Sequence, residues 1–375
     1  MDKTVKILKK PITSTIIAIL CGFAVAAIVL GVTGYNPGAA FGALFSGIFG
    51  RPKYISNVII KATPLILTAL SVAFAYKVGL FNIGSEGQYI VGALAANMVG
   101  YLCNFPPILE IPLVIVVGMA AGALWGGIVG LLKAKFGIHE VLTSIMFNWI
   151  ALYLSNLVVQ SSTFHQPNTT ATYPVNPSSY TMLLPNWKTS DAGIAALSRN
   201  KLLKEVLLKT DVNFGFLVAI AAAIFVWFLL YRSSQGYELR AVGLNRDAAE
   251  FSGISVNKNV ILTMLIAGAL SGLAAALTIT GTNPHRISIL SAFENNGFNG
   301  LSVAFIAGSS PIGCIFAGLL FGGLLYGGQS IQANIGAPSE IINIMIGTIV
   351  FFVALTKVVP ALATKLEKRG MRHAK

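Results

Sequence analysis

From Ile12 to Gly31 the chain is one apolar run, and several further runs of comparable length follow it. Each exceeds the roughly 18 residues at which a helix can cross the hydrocarbon of a bilayer. A soluble fold of 375 residues needs polar material to coat it, and this chain has little: 55% of its residues are hydrophobic and 10% are charged. Soluble chains carry about a quarter charged residues. A water-facing globule is excluded, and the chain reads as an all-α polytopic membrane protein.

Ten candidate spans can be placed, at about 12–31, 55–76, 84–103, 111–132, 140–160, 213–231, 259–280, 295–309, 311–328 and 338–356. The first follows a basic stretch and so has the outline of a signal peptide. No small-residue cleavage site closes it at Thr33-Gly34-Tyr35, and it reads as a retained helix. The formal net charge of +13 points superficially to nucleic acid, yet the cations gather at the ends of spans. That is a topological signal rather than a nucleic-acid footprint.

One side of the membrane receives Lys3, Lys6, Lys9 and Lys10, Lys77, Lys133 and Lys135, and then Arg232, Arg240, Arg246 and Lys258. The same side receives Lys357, Lys365, Lys368, Arg369, Arg372 and Lys375. By the positive-inside rule this side is the cytoplasm, so both termini are expected there. Cys21, Cys103 and Cys314 lie scattered in apolar segments with no paired spacing, and they read as packing residues rather than a disulfide or metal set.

An internal repeat gives the spans an order. AAGALWGGIVGLL from Ala120 resembles FAGLLFGGLLYGG from Phe316, and each precedes a similar helix, HEVLTSIMFNWI from His139 and PSEIINIMIGTI from Pro338. Phe81-Asn82 and Phe298-Asn299 open corresponding segments, and LILTAL from Leu65 matches VILTML from Val260. The charge map sends span four inward and span nine outward. Spans two to five and seven to ten therefore read as inverted copies, an arrangement characteristic of transporters. Glycines at 118, 122, 126 and 130, and at 318 and 322, form stripes that let helix backbones approach closely.

Two stretches carry the chemistry. In GLFNIGSEGQYIVGALAA, Gly79 to Ala96, polar Asn82, Ser85, Glu86 and Gln88 enter a membrane segment punctuated by glycine. Broken backbone inside a bilayer is tolerated only where it lines a cavity or is buried in protein. Asn299 and Ser302 stand at the matching break in the second half. Glu86 is the one acid there; it either lines a path or caps a helix start through free amides.

The second stretch, Gln235 to Lys258, reads as short polar helices, with Asn245 as N-cap, Arg246 to Phe251 helical and Gly253 as the stop. It suits docking into another protein's groove. The long external loop, Ser161 to Val212, holds a mixed-charge helical stretch open to two readings, a solvated surface helix or a docking surface. Enzyme motifs fail: His139-Glu140 is followed by Thr143 where HExxH needs histidine, and no GxSxG elbow or GxxxxGK[ST] phosphate loop occurs. No catalytic residue, metal or cofactor is expected.

FNIGSEGQ, the pattern GxxxGxLWGxxxGxLKAxFGxHEVLxSIMxNWIA and GYELRAVGLNRDAAEFSGI together resemble the nucleoside-type permeases of bacterial ABC importers. These belong to a larger permease family that also serves simple sugars and branched-chain amino acids. The resemblance implies a multi-pass subunit of the bacterial cell membrane that pairs with a second, non-identical permease. It implies two ATP-binding subunits or one duplicated ATPase, an extracytoplasmic substrate-binding lipoprotein, and no nucleic acid. It also implies ATPase coupling through Tyr237, Glu238, Gly243, Asn245, Ala248, Ala249 and Gly253.

The chain is then expected to divide into a tail, first helix and external segment (1–54), a first transmembrane repeat (55–160) and an external loop (161–212). The sixth helix and coupling segment (213–258), a second repeat (259–356) and a basic tail (357–375) complete it. An uncharged nucleoside needs aromatic faces and amide partners rather than ion pairs. The expected path residues are Asn82, Ser85, Glu86, Gln88, Asn148, Trp149, Asn299 and Ser302. A simple-sugar ABC permease, or an ion-coupled transporter acting alone through Glu86, are the alternatives.

Overall fold

The computed structural model describes residues 11–355; the lysines at 3–10 and the basic tail 357–375 lie outside the described residues. Helix α1 (Pro11–Val32) is followed by α2 (Pro37–Phe49), α3 (Pro52–Lys77), α4 (Ser85–Leu102), α5 (Pro107–Phe136) and α6 (Glu140–Val159). The stretch 161–212 holds short helical pieces, of which Asp191–Ser198 is the longest. Then come α7 (Gly215–Arg232), α8 (Ser234–Leu244), α9 (Arg246–Phe251) and α10 (Val256–Gly281). Helices α11 (Asn296–Ile306), α12 (Pro311–Ile335) and α13 (Ser339–Ala354) complete the chain.

Among the described residues there is no strand, and six helices are long and apolar enough to cross a bilayer: α3, α5, α6, α7, α10 and α12. Ile17–Val32, Pro37–Phe49 and Ser339–Val353 are apolar and shorter. The protein is all-α and multi-pass. Two elements differ from the sequence expectation. Helix α2 falls inside what reads as an external segment. The stretch 295–309, read as a span, holds a helix of only 11 residues; at about 1.5 Å per residue it rises about half the ~30 Å hydrocarbon thickness.

The helices gather into two compact units. In the larger, residues 55–322, α3 is wrapped on all sides: Leu65, Ile66, Leu67, Ala69, Leu70, Ala73 and Phe74 are all fully buried. A helix apolar around its whole circumference belongs in the middle of a bundle. Helix α10 packs along α5 and α4, and α4 in turn touches α6 and α11.

The glycine stripe of α5 is what admits α10. A Cβ added at Gly122 would stand 2.4 Å from the Gly268 carbonyl oxygen, and one at Gly126 2.5 Å from that of Met264. In the same unit the first part of α12 lies on α3, with Gly318 against Ile66 and Gly322 against Ala62. The helices expected to open the two repeats, α3 and α10, thus pack against α12 and α5, the third helix expected of the other.

In the smaller unit, described over 11–54 and 323–355, α1 runs along α13, and Gly22 sits against the Ile349 backbone. Helix α2 packs on the end of α12 through Gly47, Leu44 and Ile48, and Phe23 of α1 meets its Phe41 edge-on at 5.2 Å.

Candidate functional site

The α3–α4 turn is the point at which the sequence breaks a span, and its polar side chains are bonded mainly to one another. Asn82 and Gln88 exchange two hydrogen bonds: Asn82 Nδ2 donates to Gln88 Oε1 at 2.9 Å, and Gln88 Nε2 to Asn82 Oδ1 at 3.0 Å. Asn82 Nδ2 also donates to Ser71 Oγ on α3, and the hydroxyls of Ser85 and Ser271 lie 2.8 Å apart, tying α4 to α10. Asn148 of α6 accepts from the Gly87 N–H at 2.8 Å and donates to the Ile83 carbonyl. All of these side chains are buried, as an amide inside a bilayer must be if its partners are to exclude lipid.

Glu86 is fully buried and does cap a helix, but not its own. Its Oε1 accepts from the Asn295 N–H at 2.9 Å, and its Oε2 accepts from those of Gly297 at 2.6 Å and Phe298 at 3.3 Å. These are the unpaired amides at the start of α11, where a negative group is favoured by both hydrogen bonding and the helix dipole. Thr68 of α3 holds the same helix start from another side, donating to the Asn296 carbonyl at 3.0 Å.

Close approach demands the glycine at 297, since a Cβ there would stand 2.3 Å from the Glu86 backbone nitrogen. The break of the first half therefore supplies the cap for the break of the second. An ion-coupling acid needs free lone pairs facing a path, whereas both oxygens of Glu86 are engaged by backbone.

Five of the expected path residues, Asn82, Ser85, Glu86, Gln88 and Asn148, thus come together in one buried cluster. Trp149, Asn299 and Ser302 lie outside it. Trp149 is 45% exposed on α6 and packs on Phe293, with ring centroids 4.6 Å apart. Asn299 and Ser302 are half-buried on α11. Ser71 and Ser271 are the cluster members that sequence reasoning missed. Each is one of several small hydroxyls in a largely apolar helix, and no spacing sets it apart.

Between α7 and α10 the chain forms the expected short helices. Ser233 Oγ accepts from the Gly236 N–H at the start of α8. Asn245 Oδ1 accepts from the Ala248 N–H at 3.0 Å at the start of α9, and Gly253 ends the turn at φ +81°. The two helices enclose a groove of about 800 Å³ whose lining includes Tyr237, Glu238, Asn245, Ala248, Ala249 and Gly253. Leu244 is 88% exposed and Phe251 97%, beside Tyr237 at 65%. Large apolar side chains this exposed beside a groove are the kind of patch that suits a protein partner.

Within the set, Ala249 and Gly243 face inward. A Cβ on Gly243 would stand 2.4 Å from the Lys77 carbonyl oxygen, so α8 rests directly on the α3–α4 turn. Gln235 donates to Asn259 Oδ1 at 2.7 Å, and Asn259 donates to Glu238 Oε2 at 3.2 Å, which ties α8 to α10 as well. Gly243→Val is expected to part α8 from the turn and to lower stability by about 1–3 kcal/mol. Thermal unfolding of the detergent-solubilised chain reads this directly, and an unchanged midpoint would contradict the contact.

Apolar helices broken in two places, with an exposed groove seated on one break, fit a transporter subunit. The family described as "Branched-chain amino acid transport system / permease component" matches residues 54–355. The chain belongs to this permease family. It is a transport component rather than an enzyme.

Relatives of this permease include the guanosine ABC transporter permease protein NupP of Bacillus subtilis, 38% identical over 95% of this chain and 96% of its own length. The nucleoside ABC transporter permease protein NupB of Lactococcus lactis is 37% identical over 93% and 92%. The guanosine ABC transporter permease protein NupQ of Bacillus subtilis is 29% identical over 71% and 78%. No solved structure matches the chain at a significant level.

Proposed function

We propose that this chain is the transmembrane permease subunit of an ATP-driven ABC importer for nucleosides, forming half of the translocation pathway. The observation that carries the reading is the α8–α9 groove, an exposed apolar docking surface whose inner face bears on the α3–α4 turn and on the start of α10. Force applied to α8 by a partner reaches both halves of the larger unit. From there Glu86 links the turn to α11, so the two breaks move as one. The printed names of NupP and NupB support nucleosides as the cargo.

Two permeases of the guanosine transporter of one organism both resemble this chain, which supports a second, non-identical permease as its partner. ATP-binding subunits and an extracytoplasmic lipoprotein complete the complex in this reading. The protein sits in the cell membrane with both termini and residues 235–258 in the cytoplasm, and the two repeats cross the bilayer in opposite senses. The substrate path between the permeases takes Trp149 as an exposed aromatic face, Asn299 and Ser302 of α11 as polar partners and the buried amide cluster as its support.

Ala248 is exposed in the groove and Asn245 caps α9, so Ala248→Trp fills the docking surface without disturbing the bundle. Cells carrying Ala248→Trp are expected to lose at least about tenfold in guanosine uptake, the effect of removing one well-packed contact at an interface centre. Membrane levels should stay at those of wild type. Unchanged uptake would refute the docking assignment.

A further inference from the structure

The larger unit holds a second constellation, away from both the amide cluster and the groove. A cavity of about 430 Å³ opens between α4, α6, the end of α10 and the irregular link that carries the chain from α10 to α11. This lies within the roughly 300–1,000 Å³ of small-molecule sites. Tyr89, Ala93, Ser155, His285 and Asn296 are among its walls.

The link is pinned from both sides, so the wall is already built. The N–H of Val175 donates to the His285 carbonyl at 2.9 Å, and that of Thr172 to Ile287 at 2.8 Å. On the other side Asn156 exchanges two hydrogen bonds with the Leu290 backbone, both 2.8 Å.

Two side chains in this wall are at least nine-tenths buried and still carry a polar atom with no partner. Ser155, 1% exposed, has an unpaired Oγ, and His285, 2% exposed, an unpaired Nε2. Buried polar groups are nearly always paired, so two facing one cavity call for an explanation. His285 Nδ1 lies 2.9 Å from the Ile279 carbonyl oxygen, which can only accept, so the ring proton sits on Nδ1. Nε2 of the neutral ring is then a bare acceptor, held in place by the stacking of the ring on Tyr180 at 3.9 Å. Burial pushes the His285 pKa down, which favours the neutral ring.

The buried lining is thus an acceptor, a hydroxyl and the aromatic ring of Tyr89, all uncharged. Lys61 and Glu294 stand at exposed positions on its margin, and half-buried Arg286 donates from its guanidinium to Gln166 at 2.8 Å. The acceptor, hydroxyl and ring complement a neutral solute with hydroxyl donors, ring acceptors and a flat face.

We propose that this cavity is a nucleoside subsite contained within the single chain, with His285 Nε2 accepting from a ligand hydroxyl or ring N–H and Ser155 Oγ bonding a second polar atom. The proposal rests on the nucleoside-importer reading. Its floor is Asn296, beside the amides that Glu86 caps, so occupancy bears on the start of α11.

The test is uptake of tritiated guanosine by cells carrying the full chain, with KM and maximal rate measured separately and membrane levels checked by immunoblot. Ser155→Ala is expected to raise KM about threefold to tenfold, the worth of one hydrogen bond, with the maximal rate unchanged. Ala93→Phe, which fills the space, is expected to abolish uptake. A hydroxyl with only a structural role has no partner to lose, and its removal would leave KM where it was.

Wild-type KM in Ser155→Ala overturns the subsite, also where Ala93→Phe fails to reach the membrane. Competition by leucine or ribose as effective as that by unlabelled guanosine overturns the ligand class. Wild-type cells that take up no guanosine through this chain overturn the importer reading itself, which is a separate result from unmoved variants.

Discussion

Glu86→Gln is expected to cost about 2–4 kcal/mol of stability and to eliminate transport, although it changes one oxygen for one nitrogen. The two carboxyl oxygens accept from three backbone N–H groups at the start of α11, one on one side and two on the other. A glutamine amide must turn its NH₂ toward one of those sides, where donor meets donor. Hydrogen bonds to a charged acceptor are worth about 1.5–3 kcal/mol each, and a buried amide left without a partner costs about 1–3 kcal/mol. Glu86→Ala should be at least as damaging, and Glu86→Asp falls one methylene short of the helix start. Melting midpoints of the solubilised variants, compared with wild type, decide the matter. A glutamine variant that melts with wild type and transports normally would mean that the cap does not hold α11.

Gly122→Leu is expected to prevent assembly of the larger unit rather than merely loosen it. The first carbon of the new side chain would already lie 2.4 Å from the Gly268 carbonyl oxygen and 2.9 Å from the Gly272 Cα. Both are backbone atoms, so no rotamer relieves the collision and the two helices must separate. Overpacking a core costs about 1–3 kcal/mol where side chains can yield, and more where they cannot. Gly31→Leu on α1 is the matched control, since a Cβ there meets nothing within 4 Å. Size-exclusion profiles of both variants should show a folded peak for Gly31→Leu and aggregate for Gly122→Leu. A folded Gly122→Leu peak would show that α5 and α10 are not in backbone contact.

The apolar spans were readable because lipid imposes one simple demand on a long helix. The glycine stripe was readable because its spacing follows the helix period. Asn245 and Gly253 were readable because caps and stops are local: each acts within three or four residues of itself. Helix α2 was overlooked although its start carries a local sign, Asn36 accepting from the Gly38 and Ala39 amides with Pro37 at the first position.

Glu86 marks where such reading stops. The sequence displays an acid among glycines, but its partners are 209 to 212 residues away, and no pattern around position 86 names them. The cavity is harder still. Its wall is the irregular link before α11, whose place follows from backbone pairing with Thr172 and Val175 rather than from any periodicity.

The distance along the chain between Glu86 and the amides it caps has a consequence for how the protein is made. Ribosomes add about 5–20 residues per second, so the 209 residues to Asn295 take roughly 10 to 40 s to synthesise. Throughout that interval α4 has been made while the backbone that will hold its acid does not yet exist. The first half cannot reach its final packing until the second has been threaded in, and biogenesis of this protein must provide a waiting state for one carboxyl group.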